Sequence, residues 1–193
     1  MNLSGEHRIN APREVVWRAL NDPVILHQAI PGCEAVEQES PTSFTARVKA
    51  KIGPVSAVFS GRVELKDLDP PAGCVISAEG TGGVAGFASG DARITLREDG
   101  QATLLGYDAE GKVGGKLAQV GARLVEASAN KITNAFFSRL DGLVALPETP
   151  PPQSTDESPT IGHRRQEVPL ERVLIGLVAA LVIALGVVAA FLQ

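Results

Sequence analysis

The sequence predicts an α+β fold. It has two short helices, an antiparallel sheet of six or seven strands wrapped on one long helix, and a C-terminal transmembrane helix. Three observations predict it. Apolar and polar residues alternate through most of residues 44–113, the period of half-buried strands. The period lengthens to three or four over Lys116–Val144, as in an amphipathic helix. Finally, Val173–Leu192 is twenty residues without a charge, an amide or a proline.

The first elements are short. Leu3–Ile9 reads as an opening strand. Asn10-Ala11-Pro12 reads as a helix start with Pro12 at the first helical position, where its missing N–H costs nothing. Val16, Trp17 and Leu20 form the apolar side of that helix. Asp22-Pro23 repeats the signal for a second helix through Val24, Ile25 and Leu26, and Pro31-Gly32 ends it.

The strands follow. Phe44, Ala46, Val48, Ala50 and Ile52 form one inward row, and Val55, Ala57, Phe59, Gly61, Val63 and Leu65 the next. Residues 69–73 make a turn, and Cys74–Glu79 is another strand. After the glycine-rich stretch Gly80–Gly86 come Ala88, Gly90, Ala92, Ile94 and Leu96, then a turn at Glu98-Asp99-Gly100. Thr103, Leu105, Tyr107, Ala109, Gly111 and Val113 are the last inward row. Short polar turns between such strands imply an antiparallel meander with one covered and one wet face.

Lys116–Val144 reads as a single helix roughly 40 Å long, enough to cross a curved sheet. Its stripe is Leu117, Val120, Leu124, Ala127, Ile132, Phe136, Leu140 and Leu143, widened by Phe137. Residues 147–172 are rich in proline and polar residues and too poor in apolar ones to fold. A helix over 173–192 spans roughly 30 Å, the thickness of the bilayer hydrocarbon. Arg164, Arg165 and Arg172 precede it and no charge follows, so the positive-inside bias leaves the rest of the chain in the cytoplasm. The organisation expected is a folded domain over 1–146, a linker over 147–172 and a tail anchor over 173–192 in the cytoplasmic membrane, with no N-terminal targeting segment.

Composition narrows the chemistry. The net charge is −4, and up to Leu146 there are 15 basic and 17 acidic residues. No basic run interleaves with aromatics, so nucleic acid is not an expected partner. Cys33 and Cys74 are far apart and outside any C-x-x-C pair, as for small thiols in a reducing compartment.

Gly80–Gly86 precedes an alternating strand rather than the helix N-terminus that would receive a pyrophosphate, so it reads as a loop. Gly114-Gly115-Lys116 lacks the following Ser or Thr of a phosphate loop and reads as a strand-to-helix turn. His7, His27 and His163 have no metal-ligand spacing, and His27 reads as a surface or rim residue. Asp108 and Glu110 fall on the outward face. No catalytic constellation emerges, and the chain reads as a binding or accessory protein rather than an enzyme. The inward rows are unusually rich in Ala and Gly. Those residues either leave volume unfilled under the long helix or let helix and sheet approach closely.

Three stretches carry a family resemblance: Ala11–Trp17 with Leu20-Asn21-Asp22-Pro23, Ile30-Pro31-Gly32-Cys33, and Gly111–Gly121. With Phe136-Phe137, they make residues 1–144 resemble the carbon monoxide dehydrogenase CoxG family, within the START-like, polyketide-cyclase and Bet v 1-type helix-grip proteins. The resemblance implies an apolar cavity between sheet and long helix. It implies recruitment of a molybdenum-containing CO dehydrogenase, or a related hydroxylase, to the membrane. It also implies a bound menaquinone or other isoprenoid quinone, with no covalent cofactor. Resemblance and inward period together make Trp17, Leu20, Leu26, Phe44, Phe59, Phe87, Tyr107, Leu124, Phe136 and Phe137 the expected lining, with the Tyr107 hydroxyl toward a quinone carbonyl. A solidly packed docking adaptor and a cyclase-type enzyme are the alternatives; a buried histidine or carboxylate inside would favour the enzyme.

Overall fold

A computed structural model describes residues 2–145; the expected linker and tail anchor lie outside the described residues. Among the described residues no helix is long and apolar enough to cross a membrane.

The elements run in chain order as β1 (Asn2–Ile9), α1 (Arg13–Ala19), α2 (Pro23–Ala29), β2 (Cys33–Ser40), β3 (Ser43–Ile52), β4 (Val55–Asp69), β5 (Gly73–Thr81), a 3-10 turn (Gly83–Ala85), β6 (Phe87–Asp99), β7 (Ala102–Gly114), α3 (Lys116–Gln119) and α4 (Ala122–Val144). The sheet has seven strands in the order β1-β7-β6-β5-β4-β3-β2, and every neighbouring pair is antiparallel. From β2 to β7 it is a meander of hairpins, as the short polar turns require.

The inward rows fall where the period of two places them. Phe44, Ala46, Val48, Ala50 and Ile52 are buried, as are Ala88, Ala92, Ile94 and Leu96, while Thr45, Arg47, Lys49 and Lys51 face outward. The small helices are set by their caps. Asp22 accepts hydrogen bonds from the backbone N–H groups of Val24 (2.8 Å) and Ile25 (3.4 Å), and Pro23 opens α2. In α1 the helical residues begin at Arg13, so Pro12 is the cap rather than the first helical residue.

The long helix differs from the single rod expected. Gly121 has φ +94°, a left-handed conformation that a right-handed helix cannot continue, and it separates α3 from α4. Within α4 the buried stripe is Val125, Ala129, Thr133, Phe136, Phe137 and Leu140. Leu124, Ala127 and Leu143, expected on that stripe, are exposed. The far end of α4 is tied down: Asp141 accepts from the Asn10 backbone N–H at 2.7 Å. Nearby, the buried Thr103 hydroxyl donates to the Ala11 carbonyl at 2.7 Å.

The molecule therefore has two ends. The base holds α1, the β4–β5 and β6–β7 turns and the end of α4. The distal end holds the β3–β4 turn, the 3-10 turn, the β7–α3 turn and the start of α4. Two glycines permit the close contact that seals the distal end. Gly86 has φ +117°, and a Cβ there would lie 2.0 Å from the Gly114 carbonyl oxygen; Gly115 has φ +73° and a Cβ there would lie 2.7 Å from the Gly86 Cα. The Gly114-Gly115-Lys116 stretch is a strand-to-helix turn, as its sequence predicts.

Candidate functional site

Eight of the ten expected lining residues meet inside one core. Trp17 and Leu20 come from α1 and its C-terminal cap, Leu26 from α2, Phe44 from β3, Phe59 from β4, Tyr107 from β7, and Phe136 and Phe137 from α4; each is at most 8 % exposed. Phe87 and Leu124 are not part of it, being 54 % and 52 % exposed. Phe87 stands one residue before the inward row of β6, and a one-residue step along a strand reverses the face. Its ring lies over Gly114 on the outer side. Leu124 stands about 120° around α4 from Phe136, off the buried stripe.

The interior is graded along its length. Toward the base it is filled by large side chains: Ile76, Ile94, Leu96, Leu105, Phe136 and Leu140 are fully or nearly fully buried. Toward the distal end the inward positions are small, and Val55, Ala57, Gly61, Gly80, Gly90 and Gly111 are only partly buried. There α4 presents Val125 and Ala129 rather than aromatics. The small residues thus thin the sheet toward the distal end, where Gly61 and Gly80 also line a concavity on its outer face.

Two polar atoms inside this apolar volume lack a partner, Trp17 Nε1 and Thr133 Oγ1; Arg13 Nε and Ser43 Oγ are also buried without one. A buried donor without an acceptor costs about 1–3 kcal/mol, so such groups point to something that satisfies them. The Tyr107 hydroxyl, expected to serve a ligand, instead lies against β1: a Cβ on Gly5 would be 2.5 Å from it.

His7 is the interior residue that motif reading misses. The alternation Leu3, Gly5, His7, Ile9 along β1 carries the signal, since Leu3 and Ile9 are buried on the same face. Its ring stacks on Phe137 with centroids 4.2 Å apart and 29° between planes, and lies 6.1 Å from Tyr107. Tyr107 and Phe137 are 5.8 Å apart, so the three rings form one cluster between β1, β7 and α4. Burial lowers the His7 pKa from 6.5 and raises that of Tyr107 above 10.

The lowered His7 pKa makes stability depend on pH. Above pH 6.5 the imidazole is neutral in both folded and unfolded chains and contributes nothing. As pH falls through 6.5 the unfolded chain takes up the proton first, so stability declines until the folded pKa is passed. Urea unfolding at pH 7.5 and pH 5.5 is expected to show a smaller loss on acidification for His7→Phe than for the parent. An equal loss in both would show that His7 is not desolvated.

A concavity of about 770 Å³ lies on the outer face of the sheet across β2–β6. Its floor includes Thr45, Ser60 and Ser89, and Arg47 and Arg62 stand on its wall. Arg47 pairs with Glu34 at 3.3 Å, and Arg62 pairs with Glu39. This groove is open and separated from the aromatic interior by the sheet itself.

The fold recurs in solved structures. A conserved protein from Geobacillus kaustophilus is similar with a TM-score of 0.70 and 28% identity, over 75% of this chain and 95% of that one. A START superfamily protein from Mycobacterium smegmatis gives a TM-score of 0.58 at 19% identity, over 74% of this chain and 96% of that one. The Zhui aromatase/cyclase from Streptomyces sp. R1128 gives 0.52 at 19% identity, over 75% and 93%. The last two show the fold alone, which is the START-like one expected from the sequence. No curated protein matches. The family model of the carbon monoxide dehydrogenase protein CoxG matches residues 5–144, nearly the whole described unit. The chain therefore belongs to the CoxG family.

Proposed function

We propose that this chain is a non-catalytic accessory protein, tethered to the cytoplasmic membrane by residues 173–192. It recruits a molybdenum-containing CO dehydrogenase or a related hydroxylase. It also takes a quinone-like lipid such as menaquinone between the sheet and α4, linking the enzyme to the respiratory chain. Family membership supports the partner. The ligand reading is supported by an apolar interior with small inward residues at the distal end and by two buried polar atoms without a partner, Thr133 Oγ1 on α4 and Trp17 Nε1 on α1. A quinone matches both properties, being a flat apolar ring with carbonyl acceptors. The indole N–H of Trp17 can only donate, and the Thr133 hydroxyl donates readily.

The test uses the full chain purified from membranes in mild detergent, with extracted lipids identified by mass spectrometry. Menaquinone is expected in the parent protein. Ala57→Phe, which fills the distal wall from β4, is expected to reduce the quinone retained by about tenfold, equivalent to roughly 1.4 kcal/mol. A parent protein that carries no quinone, and takes up none when it is added, would leave the docking adaptor as the reading. Removal of residues 173–193 is expected to move the chain to the soluble fraction, and continued sedimentation with membranes would refute the tether.

A cyclase-type enzyme is the second reading, and His7 is the observation that favours it. A partly buried neutral imidazole beside a phenol ring can accept a proton in an apolar interior. Turnover of a poly-β-keto substrate that disappears in His7→Phe would move the assignment there.

A further inference from the structure

The distal end differs from the rest of the molecule in composition. Residues 49–58, 80–89 and 112–125 build it, and they contain five cations, Lys49, Lys51, Lys112, Lys116 and Arg123, and no aspartate or glutamate, with Glu79 and Glu126 at the margin. This occurs in a chain whose net charge is −4. All five cations are exposed, and none forms an ion pair among the described residues. Elsewhere Arg8, Arg13, Arg47, Arg62 and Arg97 pair with carboxylates, while Arg18, Lys66, Arg93, Lys131 and Arg139 have no ion pair among the described residues either.

The same end carries Val58, Val84, Phe87 and Leu124, four of the six large apolar side chains exposed among the described residues. Val84, at the tip of the 3-10 turn, is 86 % exposed. The three segments are contiguous. Gly53 of the β3–β4 turn faces Val120 and Leu124 within 4 Å, and Gly86 abuts Gly115.

Apolar side chains held in water among unpaired cations are costly for a free surface. They suit an anionic bilayer, where apolar groups enter below the headgroups and cations stay at the phosphates. We propose that the distal end is a contact surface for anionic lipid. The chain length permits it. Val144 ends α4 at the base, about 35 Å from the distal end. The 28 residues from 145 to 172 can extend further than that, at about 3.3 Å per residue. The surface therefore reaches the bilayer that holds the tether, although the chain leaves the domain at the opposite end. This inference uses the tether of the proposed function but not its quinone.

The test places an environment-sensitive thiol dye at Val84→Cys or, at the base, at Gln101→Cys, in the full chain with Cys33→Ser; Cys74 is buried, and burial lifts its thiol pKa to about 12. The protein is mixed with vesicles of phosphatidylcholine alone or with 30 % phosphatidylglycerol, each doped with a headgroup-depth quencher. Quenching and a blue shift are expected at position 84 on the anionic vesicles, with little at position 101. Lys49→Glu with Lys116→Glu is expected to weaken the effect by roughly fivefold or more per charge removed. Salt at 0.5 M should do the same.

Equal quenching at both positions, or none at position 84, would overturn the proposal. So would protection of position 84 that requires the added dehydrogenase rather than lipid, which would assign the end to a protein partner. If the chain is not tethered, flotation decides the matter instead. Binding to anionic but not neutral vesicles still supports the distal surface, while no flotation with either overturns it.

Discussion

Phe136→Ala is expected to lower the unfolding free energy by about 3–5 kcal/mol, the largest effect of any single side-chain truncation here. Phe136 is 1 % exposed and meets Phe137 edge-on with centroids 5.2 Å apart. Its loss removes an aromatic from the tightly packed base, where the neighbouring large side chains cannot collapse into the space. For a domain of this size that corresponds to a melting temperature roughly 10 °C lower. Denaturant titration should show a lower midpoint with an unchanged slope. A loss below about 1 kcal/mol would mean that the base of the interior is not packed as described. Phe137→Ala has a separate readout, because Phe137 covers His7: the imidazole pKa, followed by NMR, should return toward 6.5.

Gly86→Val is expected to be the most damaging substitution on the surface. The residue sits at φ +117° and ψ −161°, a region open essentially only to glycine, which costs about 1–3 kcal/mol for another residue. A Cβ would also strike the Gly114 carbonyl, a backbone atom that no rotamer change can move aside. The 3-10 turn would have to lift from the β7–α3 turn. Faster hydrogen exchange at Val113–Leu117 and a lower denaturation midpoint would report it. Gly100→Val is the control, since Gly100 shares a positive φ but has open space around it. A loss at Gly86 no larger than at Gly100 would show that neither the close approach nor the more restricted backbone angle at Gly86 contributes as described.

Most of the sheet is legible in the sequence because burial on one face imposes a period of two, which Phe44–Ile52 and Ala88–Leu96 keep without interruption. Asp22-Pro23 announces α2 because capping is a local event. The long helix departs from its sequence pattern at Gly121, where backbone conformation decides the outcome and a stripe of apolar residues conceals it. Val120, Leu124 and Phe136 look like one stripe, yet Gly121 ends the helix that holds Val120, and the five-residue step from Ala127 to Ile132 leaves Leu124 about 120° from Phe136 around α4.

The site divides along the same line. Trp17, Phe44, Phe59 and Phe136 are large apolar residues on inward positions, and any burial-based reading finds them. Phe87 is misplaced by such a reading because it begins its strand, where the loop before it gives no register. His7 is missed for the opposite reason: ligand spacing says nothing about it, whereas its position among Leu3, Gly5 and Ile9 settles which way it points. The unpartnered indole of Trp17 has no sequence signal, because whether a donor finds an acceptor depends on residues remote in the chain.

The open sheet also has consequences for crowding. If copies are tethered to one membrane as proposed, they meet at high local concentration, and an unpaired strand edge is a template for strand-to-strand growth. Along β2 the pairing register slips between Cys33 and Ala35 and again between Gln38 and Ser40, and Glu34, Glu37 and Glu39 project from it. A straight incoming strand cannot match a twice-bulged edge, and a second copy would set its own carboxylates against these. This edge of the sheet is thus guarded against strand addition, which a flat, neutral edge would invite.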